Sequence, residues 1–139
     1  MSNVKFKARV TNYSEADEFL GDKSERQIGY KTIVRRNSDD NGILIIHHDT
    51  PIVTFYPGGW AVLWTGGIVS RTTANRLHYF TPDTVSVSSR ITSDEAHYIL
   101  TDRDGLTLNS DLTFPVALAD DKLWLRARNR WMREMGGEA

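Results

Sequence analysis

Apolar positions in this chain recur with a period of two or in short unbroken runs, and clusters of Asn, Asp, Gly and Pro interrupt them. Such a text predicts β-strands joined by tight turns. Val4, Phe6, Ala8 and Val10 alternate with Lys5, Lys7 and Arg9, which predicts a half-buried strand over residues 4–10. "SEADEFL" then reads as a short helix, with Ser14 as cap, Asp17 three residues on and Gly21 as its stop.

From Gly29 to Trp64 the runs "YKTIVRR", "ILIIHH", "IVTFY" and "WAVLW" are separated by "NSDDNG", "DTP" and "PGG", the pattern of an antiparallel meander. The last three runs are nearly continuous in apolar residues, so both faces are expected to be covered, the second by another copy of the chain. "SRTTANRLHYF" predicts a helix capped by Ser70 and ended before Pro82, with Ala74 and Leu77 toward the sheet. "TVSVSSRI", then "AHYILT" and "LTLNS" around an Asp-Gly turn, resume the strands. From about residue 117 the chain reads as an amphipathic helix: Asp120 and Asp121 open it, and Leu123, Ala127, Trp131 and Met135 recur every four residues. The expectation is one α+β, mostly β domain over residues 1–139. It comprises an antiparallel meander, one short helix after the Gly-Gly turn and a C-terminal helix.

Composition narrows the chemistry. A chain of 139 residues supports a core without staples, and the absence of cysteine excludes disulfides and thiolate chemistry. No apolar run has the length of a membrane span or the form of a signal peptide, so a soluble, unexported protein is expected. The net charge of −1 supplies no global field toward nucleic acid, so any basic site must be local.

The stretch "WTGGIVSRTTANRLHYFTP", Trp64 to Pro82, carries the densest polar text. With a helix starting after Ser70, the amides of its first turn lie beside Thr72 and Thr73, and Arg76 stands one turn on. Hydroxyls, amides and a guanidinium can then meet one phosphate, while Gly66 and Gly67 let backbone approach a ligand. The same residue types also make a plain helix cap with Arg76 paired to a surface acid. Both readings stand on the sequence.

His47, His48 and Asp49 are common metal ligands, but neighbours on a strand face opposite ways, so the two imidazoles are not expected to share an ion. No metal and no cofactor is called for. "DRDG" lacks the alternating oxygens of a calcium loop and reads as a turn. No Ser, His and acid set or phosphate-loop motif assigns catalysis, so the protein is not expected to be an enzyme.

His48-Asp49-Thr50, "IVTFYPGG", Gly66-Gly67 and "TTANRLH" together resemble a family of short β-rich proteins encoded by bacteriophages, over Gly21 to Phe114. Ala74 stands where that family carries lysine, His78 where it carries asparagine, and Ile68 where it carries tryptophan. Small non-enzymatic phage proteins blunt defences such as CBASS by sequestering a cyclic nucleotide. The resemblance therefore implies an oligomeric protein in the cytoplasm of the infected host that holds such a signal, in particular a cyclic dinucleotide. On that reading Ser70, Thr72, Thr73 and Arg76 hold phosphate. Tyr56, Trp60 or Trp64 stacks a base, and His48 with Thr50 or Thr54 reads an edge or a ribose hydroxyl. A structural or interaction module of the phage is the alternative. A single-strand nucleic-acid binder using Lys5, Lys7, Arg9 and the final helix ranks below both.

Overall fold

Hydrophobic periodicity becomes a ladder through the middle of the chain. A computed structural model describes residues 6–123. Helix α1 (Tyr13–Leu20) precedes five strands: β1 (Glu25–Gly29), β2 (Thr32–Arg36), β3 (Ile43–His47), β4 (Thr50–Tyr56) and β5 (Trp60–Leu63). Helix α2 (Arg71–Tyr79) is followed by β6 (Ser86–Ile91), β7 (Ala96–Thr101), β8 (Thr107–Ser110), β9 (Val116–Ala119) and β10 (Lys122–Leu123). The strands form a seven-stranded sheet, β1-β2-β3-β4-β5-β9-β10, and a three-stranded sheet, β6-β7-β8. Every pairing is antiparallel. The mostly β, antiparallel reading with a helix after the Gly-Gly turn therefore holds. No helix among the described residues is long and apolar enough to cross a membrane.

The two sheets share one core. Val34, Ile45, Val53, Phe55 and Leu63 of the large sheet pack in one cluster with Phe19 and Leu20 of α1, Leu77 of α2, and Val87, Tyr98 and Leu100 of the small sheet. Burying each such side chain contributes roughly 1.5–3 kcal/mol. The apolar text of β3 to β5 is explained in part by the alternate face, where Ile46 and Ala117 are also buried and Ile33, Leu44 and Val62 are half-buried.

Three sequence expectations are corrected. Of the strand expected over residues 4–10, Val4 and Lys5 lie outside the described residues and 6–10 form no strand: their burial alternates as expected, with Val10 buried, but among the described residues the backbone link to β1 is one bond from Lys7 N to Ile28 O. The cap of α1 is Asn12, whose side chain accepts from Glu15 N, while Glu15 accepts in return from Thr11 N and its hydroxyl. Ser14 lies inside the helix, and Gly21 ends it at φ 61°.

The third correction concerns the chain beyond residue 116. Residues 117–123 are not helical: Asp120 (φ 55°) and Asp121 (φ 64°) form the two-residue turn between β9 and β10, closed by the Ala119–Lys122 pair. Two acidic residues read as a helix start, yet short polar side chains also tolerate the left-handed region that such a hairpin needs. Ala127, Trp131 and Met135 of the expected helix lie outside the described residues.

Candidate functional site

At one end of the large sheet the turn between β3 and β4 faces the loop that leads into α2. Together they enclose a cavity of about 450 Å³, lined by His47, His48, Thr50, Ile52, Thr65, Ile68, Ser70, Thr72 and Thr73. That volume lies within the 300–1,000 Å³ range usual for small-molecule sites. The lining holds five hydroxyls and two imidazoles, and no carboxylate, lysine or arginine.

The α2 wall has a local cause, and the loop before it is held from a distance. Ser70 adopts extended backbone before α2, and its hydroxyl accepts from Thr73 N at 3.0 Å and donates to the Thr73 hydroxyl at 2.9 Å. The loop ahead of it is anchored by Thr65 N and Gly66 N, which donate to Leu112 O at 3.2 and 3.1 Å. Beneath it the fully buried Tyr98 donates its hydroxyl hydrogen to Ile68 O at 2.8 Å and accepts from Ser70 N at 3.3 Å. Burial raises the pKa of this phenol, so it remains a neutral donor. Tyr98 thus positions the cavity rim from the small sheet, a role its place in "AHYILT" does not signal.

Gly67 has φ 94°, a region that L side chains rarely enter, and a Cβ there would lie 2.8 Å from Thr113 Oγ1. Gly67→Ala is expected to lower stability by about 1–2 kcal/mol through backbone strain, measured by urea denaturation. An unchanged midpoint would mean that this loop relaxes freely.

His47 and His48 both line the cavity, with ring centroids 4.3 Å apart, although strict strand alternation would set them on opposite faces. His47 ends β3, but His48 has φ 55° in the two-residue turn, where the period of two no longer applies. Among the described residues no group of three His, Asp or Glu side chains is placed to hold a metal ion. His47 is 7% exposed, and its pKa is pushed down to about 4, first by burial, then by Arg76 and by His48. It is neutral at pH 7.

The remaining expected site residues disperse. Arg76 does not line this cavity; its Nε reaches the buried Thr32 hydroxyl at 3.4 Å, and that oxygen lies 3.4 Å from His47 Nδ1. Thr54 pairs with Leu44 and Val62 on the other face of the sheet. Tyr56 lies six residues beyond Thr50 along β4, about 20 Å at strand rise, and its hydroxyl donates to Asp40 at 3.2 Å. Trp60 pairs with Tyr56 at that far end. Trp64 is closer, but its Nε1 donates to Thr113 O at 3.0 Å, and a Cβ on Gly66 would lie 3.2 Å from its ring, so the indole covers the glycine turn. Of the ten expected residues the structure brings Ser70, Thr72, Thr73, His48 and Thr50 together and separates the five others. Compared with protein-family models, curated proteins and solved structures, the chain matches none.

Proposed function

We propose that this protein binds a cyclic nucleotide in the hydroxyl-lined cavity and holds it without breaking a bond. The observation that carries the reading is the convergence of Thr50, Thr65, Ser70, Thr72 and Thr73 with two imidazoles at the start of α2, in a lining free of carboxylates. Hydroxyls and the amides of a first helical turn suit phosphate and ribose oxygens, and no acid is present to repel them. The exposed His48 ring and Ile68 offer flat and apolar surface to a base. No nucleophile in the lining is paired with a base and an orienting acid, which favours retention over turnover. With the phage-protein resemblance, this gives an oligomeric protein that sequesters a cyclic dinucleotide signal in an infected cell.

The test incubates the purified protein with cyclic di- and trinucleotides, measures affinity and native mass, then heats the complex and identifies what is released. Intact release after tight binding is expected. Thr72 is exposed and its hydroxyl has no partner among the described residues, so Thr72→Val is expected to keep the fold and weaken binding by about 0.5–1.5 kcal/mol. No binding to any member of the panel, or release of a cleaved product, refutes the reading. The half-buried Ile33, Leu44 and Val62 on the other sheet face favour a second reading, a protein-contact module. Co-purification of a protein partner with no nucleotide would select it.

A further inference from the structure

Arg76 belongs to a different concavity. Beside α2, Phe6, Arg9, Asn75, Arg76, His78 and Tyr79 line a cavity of about 270 Å³, floored by Val87. Its polar groups are donors almost throughout. Arg9 and Arg76 carry guanidinium groups and Asn75 an amide, and no carboxylate is among the lining residues. His78 Nδ1 accepts from Val87 N at 3.3 Å, which assigns the proton of its neutral ring to Nε2 and makes that nitrogen a donor as well.

The second observation is energetic. Arg76 is 4% exposed, its Nη1 is buried with no hydrogen-bond partner, and no salt bridge among the described residues includes it. Folding hides unpaired charge only at considerable cost, and Arg76, a lining residue whose guanidinium has, among the described residues, only the long 3.4 Å bond from Nε to Thr32 and the Phe6 ring at 5.9 Å, is the group that an anion would relieve. Arg9 is held beside the cavity, its Nη2 donating to Thr81 O and, in an ion pair, to Asp83 Oδ1 at 3.0 Å each while its guanidinium lies 5.0 Å from the Tyr79 ring centroid. The Phe6 ring packs 4.4 Å from Tyr79 and 4.9 Å from Phe80, giving the cavity an aromatic wall. The volume falls below the usual range for drug-sized ligands, which suits a ligand smaller than a dinucleotide.

We propose that this cavity is a second binding site, taking a small anion with a flat aromatic body: the anionic group pairs with Arg76 and Arg9, and the ring packs on Phe6 and Tyr79. The probes are phenyl phosphate and benzoate, titrated into the full chain at fixed ionic strength and followed by NMR. Phenyl phosphate is expected to shift the Asn75 side-chain amide and the His78 ring and to saturate one site per chain. Folded Arg76→Met is expected to bind about tenfold weaker or worse, and Asn75→Ala, at an exposed position, severalfold weaker. Thr72→Val, in the other cavity, is expected to bind these probes as the parent does, so failure here and failure of the cyclic-nucleotide reading are separable. Tighter binding of phenyl phosphate assigns the site to phosphate monoesters, and tighter binding of benzoate assigns it to carboxylates. Absence of binding by either probe overturns the proposal, as does unchanged affinity in Asn75→Ala and in folded Arg76→Met.

Discussion

Arg76→Met is expected to make the unliganded protein more stable by about 1–4 kcal/mol, in a buffer free of phosphate and carboxylate. Large side chains at 4% exposure normally destabilise when replaced, because the exchange leaves a cavity or an unsatisfied partner. Here the partner loses little. The Thr32 hydroxyl keeps its 2.8 Å bond to Tyr30 O, and the contact from Arg76 Nε is long at 3.4 Å. Methionine keeps an unbranched stem and gives up only the distant Phe6 ring, 5.9 Å from the guanidinium carbon, while removing a charge whose Nη1 has no partner. Burial also pulls the Arg76 pKa below the ordinary arginine value, but arginine stays protonated at neutral pH, so it does not escape the cost by losing its proton. Urea denaturation with and without phenyl phosphate reads both halves. Higher stability without the probe, and a smaller gain with it than the parent shows, is the expected pair. A variant less stable than the parent would mean that the guanidinium supports the fold and awaits no anion.

The sequence shows where such a charge stands along the chain, but not how it is buried. Strand text from Thr32 to Leu63 was legible because each apolar run ends in a turn signal, and the Ser70 cap because a hydroxyl precedes a helical period. Residues 6–10 show the limit of alternation. It reports which side chains are buried, and Phe6, Ala8 and Val10 obey it, but pairing also needs a neighbour strand in register, and only Lys7 N finds one. Asp120 and Asp121 show the limit of composition, since acidic residues suit both a helix start and a left-handed turn. The cavity was half legible. Its α2 side can be read locally, whereas Tyr56 and Trp60 are stacking candidates by type alone, and the length of β4 separates Tyr56, with Trp60 paired to it from β5, from Thr50. Tyr98 and Thr65 had no local signal, because their roles arise where the small sheet meets the loop before α2.

The same buried arginine shapes the second large effect, the response to acid. His47 has its pKa lowered from 6.5 to about 4, chiefly by burial, with Arg76 and His48 adding to it. In the unfolded chain this ring takes a proton near pH 6.5, while in the fold it takes one only near pH 4. Between those values the unfolded state holds more protons, so stability falls as pH drops from 6.5 toward 4 and is fully retained above 6.5. The displacement corresponds to about 3 kcal/mol. Because other groups titrate in the same window, the measurement is a difference. Denaturation midpoints of the parent and of His47→Gln are followed from pH 7 to pH 4, and the parent is expected to lose about 3 kcal/mol more. Parallel profiles would show that the ring is solvated and its lowered pKa illusory. An anion seated on Arg76 would offset the charge that repels the His47 proton, so the His47 midpoint should rise when phenyl phosphate binds, and acid should in turn tighten that binding. Thr32 Oγ1, 3.4 Å from both side chains, lies between them, so an event in the donor-lined cavity reaches the imidazole of the hydroxyl-lined one.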